Sequence, residues 1–435
     1  MIALILALQS PPVTAFVGAE VVRSDRAGVL SNQTVIVRGD RIAWVGPAAE
    51  AKLDAAMTRI DARGKFLLPG FADMHVHLRR REDLVTYVAS GITTIRNMWG
   101  SPRDLAWWDS VAAGTLFGPR IVTTGPIIDG DPPSQEGMTV ITDTARARAE
   151  VEREAAQGYD EVKVYNSVPP EVYRIIIEVA KAKGMPVVGH VPLGVGLHGA
   201  MAAGQRSIEH LRGWIAELVP ADAPVQPGAS LRSRSVAWNW IDTTRIAALA
   251  LATARAGTWN DPTMIVSTEM LAPPEQWDSL DARPMYRYLG AGAAMDRAKL
   301  PFLRDFTTED YRQSLRGLGM QRRVVLALHR ARARLLAGTD SPLQGFGLAL
   351  ELAEFREAGL LPWDIVMIAT KNAGEYLGES GKTGVVAAGA RADLQLLGAN
   401  PVADLSAFDA RVGVMVRGQW YPKEELQRRL EAIAR

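Results

Sequence analysis

FADMHVHL, residues 71–78, is the stretch on which the reading of this chain turns. It follows the apolar run Leu67-Leu68-Pro69-Gly70 and sets His75 and His77 two residues apart. On a β-strand that spacing turns both imidazoles to one face. Two neutral imidazoles aimed at one point make half of a divalent-metal site. Two ordinary strand-end histidines would spell the same letters, so the decision rests on what recurs downstream.

Working outward from this stretch, short apolar runs that end in a polar residue recur at 71–77, 92–97, 120–125, 161–165, 186–190, 207–210, 258–265 and 335–340. Helical patterns lie between them, for example 145–157 and 171–183, the latter closed by Gly184 as a C′ glycine. Eight strand–helix units predict an α/β fold, a (β/α)8 TIM barrel, because each parallel crossover must pack its helix outside the sheet. The crossovers 212–243 and 267–319 exceed an ordinary βα connection. They read as insertions over the barrel mouth, or as a surface subdomain or oligomer contact. Upstream, 21–22, 34–37 and 41–45 are short β-branched segments, and the pattern resumes at 384–389, 392–397 and 412–416. Both chain ends are therefore expected to build one small β-sandwich domain, from residues 1–68 and 381–435, around a barrel at 69–380, with a polar helix at 423–434.

The chain has 435 residues, 48% hydrophobic and 22% charged, as a globular protein requires. A formal net charge of +1 gives no reason to expect nucleic acid or an anionic membrane as partner. The absence of cysteine excludes disulfides, thiolate metal ligands and a cysteine nucleophile. Neither a GxxxxGK[ST] phosphate loop nor a GxSxG elbow is present. Residues 1–10 hold the apolar run IALILAL, read as a short export signal or as a first strand. The export reading is preferred and implies a periplasmic or secreted protein. No later run is long and uncharged enough to span a membrane.

In a barrel of this kind, chemistry sits at the C-terminal ends of the strands. Strand one ends in His75 and His77, strand four carries Lys163, strand five ends in His190, strand six in His210 and strand eight in Asp340. Four of the six histidines thus fall at expected strand ends. An ammonium among metal ligands would repel the ions. If the Lys163 amine has added CO2, the resulting carbamate is an anion able to bridge two metals. A lysine snorkelling from the barrel end is the other reading. Asp340, in GTDSP, is either a helix N-cap or a carboxylate that accepts a proton from water and returns it to a leaving amine. Glu209 precedes His210 and is expected to face the opposite side, as a structural residue.

FADMHVHL, the KVY around Lys163, GHVP at 189–192, SIEHL at 207–211 and AGTDSP at 337–342 together resemble the amidohydrolase superfamily. The likeness is to its binuclear branch of imidazolonepropionase-related and Xaa-Pro-dipeptidase-like hydrolases, and it extends to GARADLQLL at 389–397. The resemblance implies that His75 and His77 bind the more buried of two divalent ions with Lys163 and Asp340, and that Lys163, His190 and His210 bind the second. Zinc is the expected metal and Lys163 is expected as N6-carboxylysine. Lys163 argues against a true imidazolonepropionase or a mononuclear deaminase, which do not use a bridging lysine. Tyr165 shares the face of Lys163 and is expected to hydrogen-bond the substrate's carbonyl oxygen, or else to be a packed tyrosine.

The function so implied is hydrolysis of an amide or peptide-like C–N bond of a small substrate, a dipeptide or N-acyl amino acid, by a metal-bridging hydroxide. A lactonase or other ester hydrolase on the same site is the rival enzyme, and a non-catalytic binding protein on this fold is the rival of another class. Homo-oligomer formation stays open by analogy. Arg79-Arg80-Arg81 either receives a substrate carboxylate or is a solvated basic loop. Trp99 either narrows the pocket or packs, and His198 and His329 are expected to be structural or surface residues.

Overall fold

The apolar runs lack the alternation of a half-exposed strand, so each needs cover on both faces. The computed structural model, which describes residues 12–290 and 300–434, supplies it. Phe71–Val76 and Ile92–Asn97 are buried at every position. With Arg120–Thr123 they form a three-stranded parallel sheet. A second parallel sheet runs Thr139–Val140, Ile128–Asp129, Val162–Val164, Val187–Gly189, Ser207–Glu209, Trp259–Asp261, Arg334–Leu335. The two sheets are separate hydrogen-bonded units that meet along two seams. One holds a parallel bridge from Thr124 to Glu161; in the other, Met74 N donates to Ala337 O at 2.8 Å.

Helices pack against these strands where the sequence placed them. Thr144–Gln157 begins on Asp143, whose side chain accepts from Arg146 N. Pro170–Ala182 starts with proline at its first position and buries Val172, Ile175, Ile176 and Val179, one stripe at helical spacing. Gly184 follows with φ 72°, the left-handed conformation that a C′ glycine provides.

The long crossovers carry short helices of their own. The first holds Trp214–Leu218 and Leu231–Ala237; the second holds Ile265–Glu269 and Trp277–Asp281. The helix after the second begins at Thr308 and runs to Arg330, well inside the stretch read as insertion. A capping box explains the early start: Asp310 N donates to Thr307 Oγ1 at 3.2 Å and Thr307 N to Asp310 Oδ2 at 2.8 Å.

Both chain ends meet, as expected, and their strands are hydrogen-bonded into one continuous eight-stranded sheet. Its order is Gln419–Pro422, Arg411–Val416, Leu394–Leu397, Phe66–Pro69, Val13–Val22, Val29–Arg38, Arg41–Pro47, with Thr58–Asp61 also paired to Val13–Val22. Val13–Val22 keeps the sheet continuous. Its first half pairs with Thr58–Asp61 and its second half with Phe66–Pro69. The strand expected at 384–389 is a run of turns and bends. Residues 1–11, where the export segment was expected, lie outside the described residues, and no described helix is long and apolar enough to cross a membrane.

The sheet's core joins the two ends physically. Phe16 is fully buried and meets the Trp420 ring edge-on, centroids 5.2 Å apart. Phe16→Ala should lower stability by about 3–5 kcal/mol, read as a shift in the denaturant midpoint at unchanged slope.

Candidate metal centre

The six side chains expected at the strand ends converge. His75 lies in Phe71–Val76 and Lys163 in Val162–Val164; His77, His190 and His210 come directly after their strands. Asp340 Oδ1 is 3.1 Å from His77 Nε2 and 3.8 Å from His75 Nε2, and Asp340 Oδ2 is 3.6 Å from His210 Nε2. Lys163 Nζ is 3.4 Å from His75 Nε2. The His190 and His210 rings meet edge-on with centroids 5.0 Å apart. One ligand atom from each of His75, His210 and Asp340 falls within 4.8 Å of the others. These residues form a group able to hold a metal ion.

The backbone pays for this convergence in strained conformations. His210, Leu211, Thr263 and Asp340 have φ of 57°, 52°, 47° and 45°, a left-handed region that a β-branched or bulky residue enters only under constraint. Two glycines allow the closest approaches. At Gly189, φ 114°, an added Cβ would stand 2.4 Å from Val164 O. At Gly338 it would stand 2.4 Å from Asp261 Oδ2 and 2.6 Å from His75 N. Only a residue without a side chain lets the eighth strand's end lie against His75.

Electrostatics sets the protonation of the donors. Burial lowers the pKa of His75 to about 4 and pulls His77, His190 and His210 down as well. All four imidazoles are therefore neutral at neutral pH, the form that ligates metals. Burial also draws the Lys163 amine down to about 8. Hydrogen bonds orient the rings. His75 Nδ1 is 2.9 Å from Glu209 Oε2, His190 Nδ1 is 2.8 Å from Asn166 Oδ1, and His210 Nδ1 is 2.6 Å from Thr263 Oγ1. A carboxylate can only accept, so His75 donates from Nδ1 and keeps the Nε2 lone pair free.

Glu209 is thus a correction to the sequence reading. It is fully buried, faces His75, and takes two hydrogen bonds from Arg96 Nη2 at 2.9 and 3.0 Å. Burial alone would raise its pKa; the Arg96 guanidinium and the hydrogen bonds from His75 and Ser207 together outweigh that and hold the carboxylate at about 2. Asn166 and Thr263 were missed as well, having no signature beyond a hydrogen-bonding side chain near a strand end.

Tyr165 stacks on His190, centroids 3.7 Å apart and planes 24° apart. Burial pushes its hydroxyl up to about 12, so it keeps its proton. Together with His210 and Asp340 it borders a cavity of about 410 Å³, whose far wall includes Trp238 from the first long crossover and Met270 and Phe302 from the second. The crossovers therefore wall the cavity over the cluster. Trp99 packs edge-on to His77 at 6.1 Å. Of the basic triplet, Arg80 is held by Asp83 at 2.6 Å, and none of the three borders the cavity. His198 and His329 stand apart, each facing a carboxylate, Glu217 at 3.7 Å and Asp364 at 3.5 Å.

The contact at Gly338 can be tested on stability alone. Gly338→Ala should destabilise by about 1–3 kcal/mol through overpacking. Gly319→Ala, in the helix Thr308–Arg330 where an added Cβ meets nothing within 4 Å, should stabilise by about 0.5–1 kcal/mol. Thermal melts of the two variants beside the parent give both signs.

Comparison with known proteins gives the family and the fold. The chain is 36% identical over 106 residues to an imidazolonepropionase of Cutibacterium acnes, a stretch that spans 22% of this chain and 26% of that protein. A bottromycin amidohydrolase superposes over 98% of this chain and 91% of its own with a TM-score of 0.76 and 25% identity. A Xaa-Pro dipeptidase with methionine bound in its active site shares the fold, with a TM-score of 0.69 over 94% of this chain and all of its own at 20% identity. The amidohydrolase family model matches residues 66–421, most of the chain and every residue of the cluster, and the chain belongs to the amidohydrolase family.

Proposed function

We propose that the chain is a metal-dependent hydrolase that cleaves an amide or peptide-like C–N bond of a small substrate, a dipeptide or N-acyl amino acid. The observation that carries this reading is the convergence of six donor side chains from five strand ends beside one cavity. We read the two linked parallel sheets as one (β/α)8 barrel spanning residues 69–380, with insertions at about 212–243 and 267–319 and a β-domain from the two ends.

The donor set fits divalent cations. His190 Nε2 is buried with no hydrogen-bond partner, a lone pair out of water with nothing protein-borne to accept it. The remaining donors are imidazole, carboxylate and lysine, a set suited to zinc. His75, His77, Lys163 and Asp340 would hold one ion, and Lys163, His190 and His210 the other. Lys163 is 1% exposed and pairs with no carboxylate among the described residues. As an ammonium it would oppose the ions; as an N6-carboxylate it would serve both. Its lowered pKa favours the neutral amine that CO2 requires.

Bound there, the ions would polarise the scissile carbonyl and lower the pKa of water. The protein's own groups do the rest. Asp340, facing three imidazoles, accepts the proton of the attacking water and passes it to the leaving amine. The protonated Tyr165 hydroxyl, at the cavity edge, donates to the carbonyl oxygen as negative charge gathers on it. Glu209 holds the His75 ring in its working tautomer.

Emission spectroscopy of purified protein should find about two zinc equivalents per chain, and chelation should abolish turnover of a dipeptide and N-acyl amino acid panel until zinc is restored. Trace metal in a well-folded preparation would reject the reading. Lys163→Ala should lose both metal and turnover; parental activity in that variant would rule out the bridging lysine. Glu209→Gln should weaken metal affinity about 10–100-fold while leaving the circular dichroism spectrum intact.

A further inference from the structure

Two guanidinium groups border the cavity without a role in the metal cluster. Arg212 lies two residues past His210, where the left-handed backbone of His210 and Leu211 turns the chain at the end of its strand. Arg234 lies on Leu231–Ala237 in the first long crossover and is 8% exposed. The Nε of each is buried and makes no hydrogen bond. Arg234 Nη1 donates only to backbone, to Gly228 O at 3.1 Å and to Ala229 O. Among the described residues neither arginine pairs with a carboxylate. Arg96, by contrast, is fully buried and rests on Glu209 at 2.9 Å. A guanidinium whose Nε is buried and unpaired is costly to leave without an acid, and an anion arriving with the ligand would satisfy it.

The charges on the cavity wall agree. Its carboxylates are Asp305 and Asp340, which the two arginines balance. Divalent ions in the cluster would then leave the whole cavity positive, even with Lys163 carboxylated. The guanidinium is planar and offers parallel N–H donors that match a carboxylate's two oxygens.

We propose that the cavity takes substrates bearing a free carboxylate next to the scissile amide, with Arg212 as its receiving group and Arg234 as a second cation on the crossover wall. The proposal rests on the hydrolase reading for the bond that is cut, but not for the anion that is bound. It selects N-acyl amino acids and dipeptides over neutral amides, esters and lactones. It also moves the carboxylate site from Arg79–Arg81, where the sequence offered one, to residues that border the cavity.

The test compares a panel of dipeptides and N-acetyl amino acids, each beside its own C-terminal amide, on the zinc-loaded full chain. The acids should show about tenfold or greater kcat/KM over the amides. In Arg212→Gln that preference should collapse to within about threefold, chiefly through KM of the acids, with Arg234→Gln giving a smaller loss. Acids and amides turned over equally by the parent, or a preference unchanged in both variants, would overturn the proposal. If Arg212→Gln does not fold, Arg212→Lys, which keeps charge but not the paired donors, should lose most of the preference. If no panel member is turned over, the hydrolase reading fails, and calorimetric titration of the same pairs still decides the anion site. Tighter binding of acids that Arg212→Gln removes supports it; equal affinity, or no binding of either, overturns it.

Discussion

Arg96 lies fully buried beneath the imidazole cluster, and its guanidinium ties together the parts on which the site depends. Its Nε donates to Met74 O at 2.6 Å, one residue before His75. Its Nη1 donates to Ser207 Oγ at 3.0 Å and to the Tyr376 hydroxyl at 2.6 Å, and its Nη2 grips Glu209. One side chain thus registers the first, second and sixth strands against each other. It also sets a protonation state. Glu161 and Asp261 stand 3.6 Å from the same guanidinium, and burial pushes both of their carboxyls up. Glu209, with the two shortest contacts, is instead drawn down and held ionised. An ionised Glu209 accepts from His75 Nδ1 and so fixes which nitrogen faces the cavity. Removing one member of a buried ion pair typically costs about 3–5 kcal/mol, so the floor of the site and the stability of the fold are the same interaction.

Much of this was legible in the sequence because two periodicities are rigid. A strand shows alternate residues to one side, and a barrel puts strand ends at one mouth. His75, Lys163, His190, His210 and Asp340 needed no more than that to be placed together. The alternation argument failed at Glu209. It assigned one functional side to a short strand, but Glu209 and His210 both turn inward because His210 and Leu211 leave the strand in left-handed conformations. A second signal was available: an arginine inside ITTIRN and a glutamate inside SIEHL are opposite charges in two otherwise buried strands, and each requires the other.

The terminal sheet and the crossovers call for more than a periodicity. Short β-branched segments announce strands but not how many sheets they form. The connection was made by Val13–Val22 changing partner along its length, which no local pattern reveals. The helix start at Thr308 was written in TTED, the capping box, but lay inside a stretch read as an insertion from its length.

Floor and mouth also divide the charge between them. Below His75 the acids outnumber the single guanidinium, and burial pushes the carboxyls of Glu161 and Asp261 up, which favours their uncharged form. Above it, the crossovers bring Arg234 to a wall shared with Arg212, and neither finds an acid. The neutral imidazoles thus stand on a floor of paired and buried acids, while the wall above them presents two guanidinium groups not paired with its carboxylates among the described residues. The first property belongs to the strands and the second largely to the crossovers. The same cluster can therefore be kept while crossover sequence changes what enters above it.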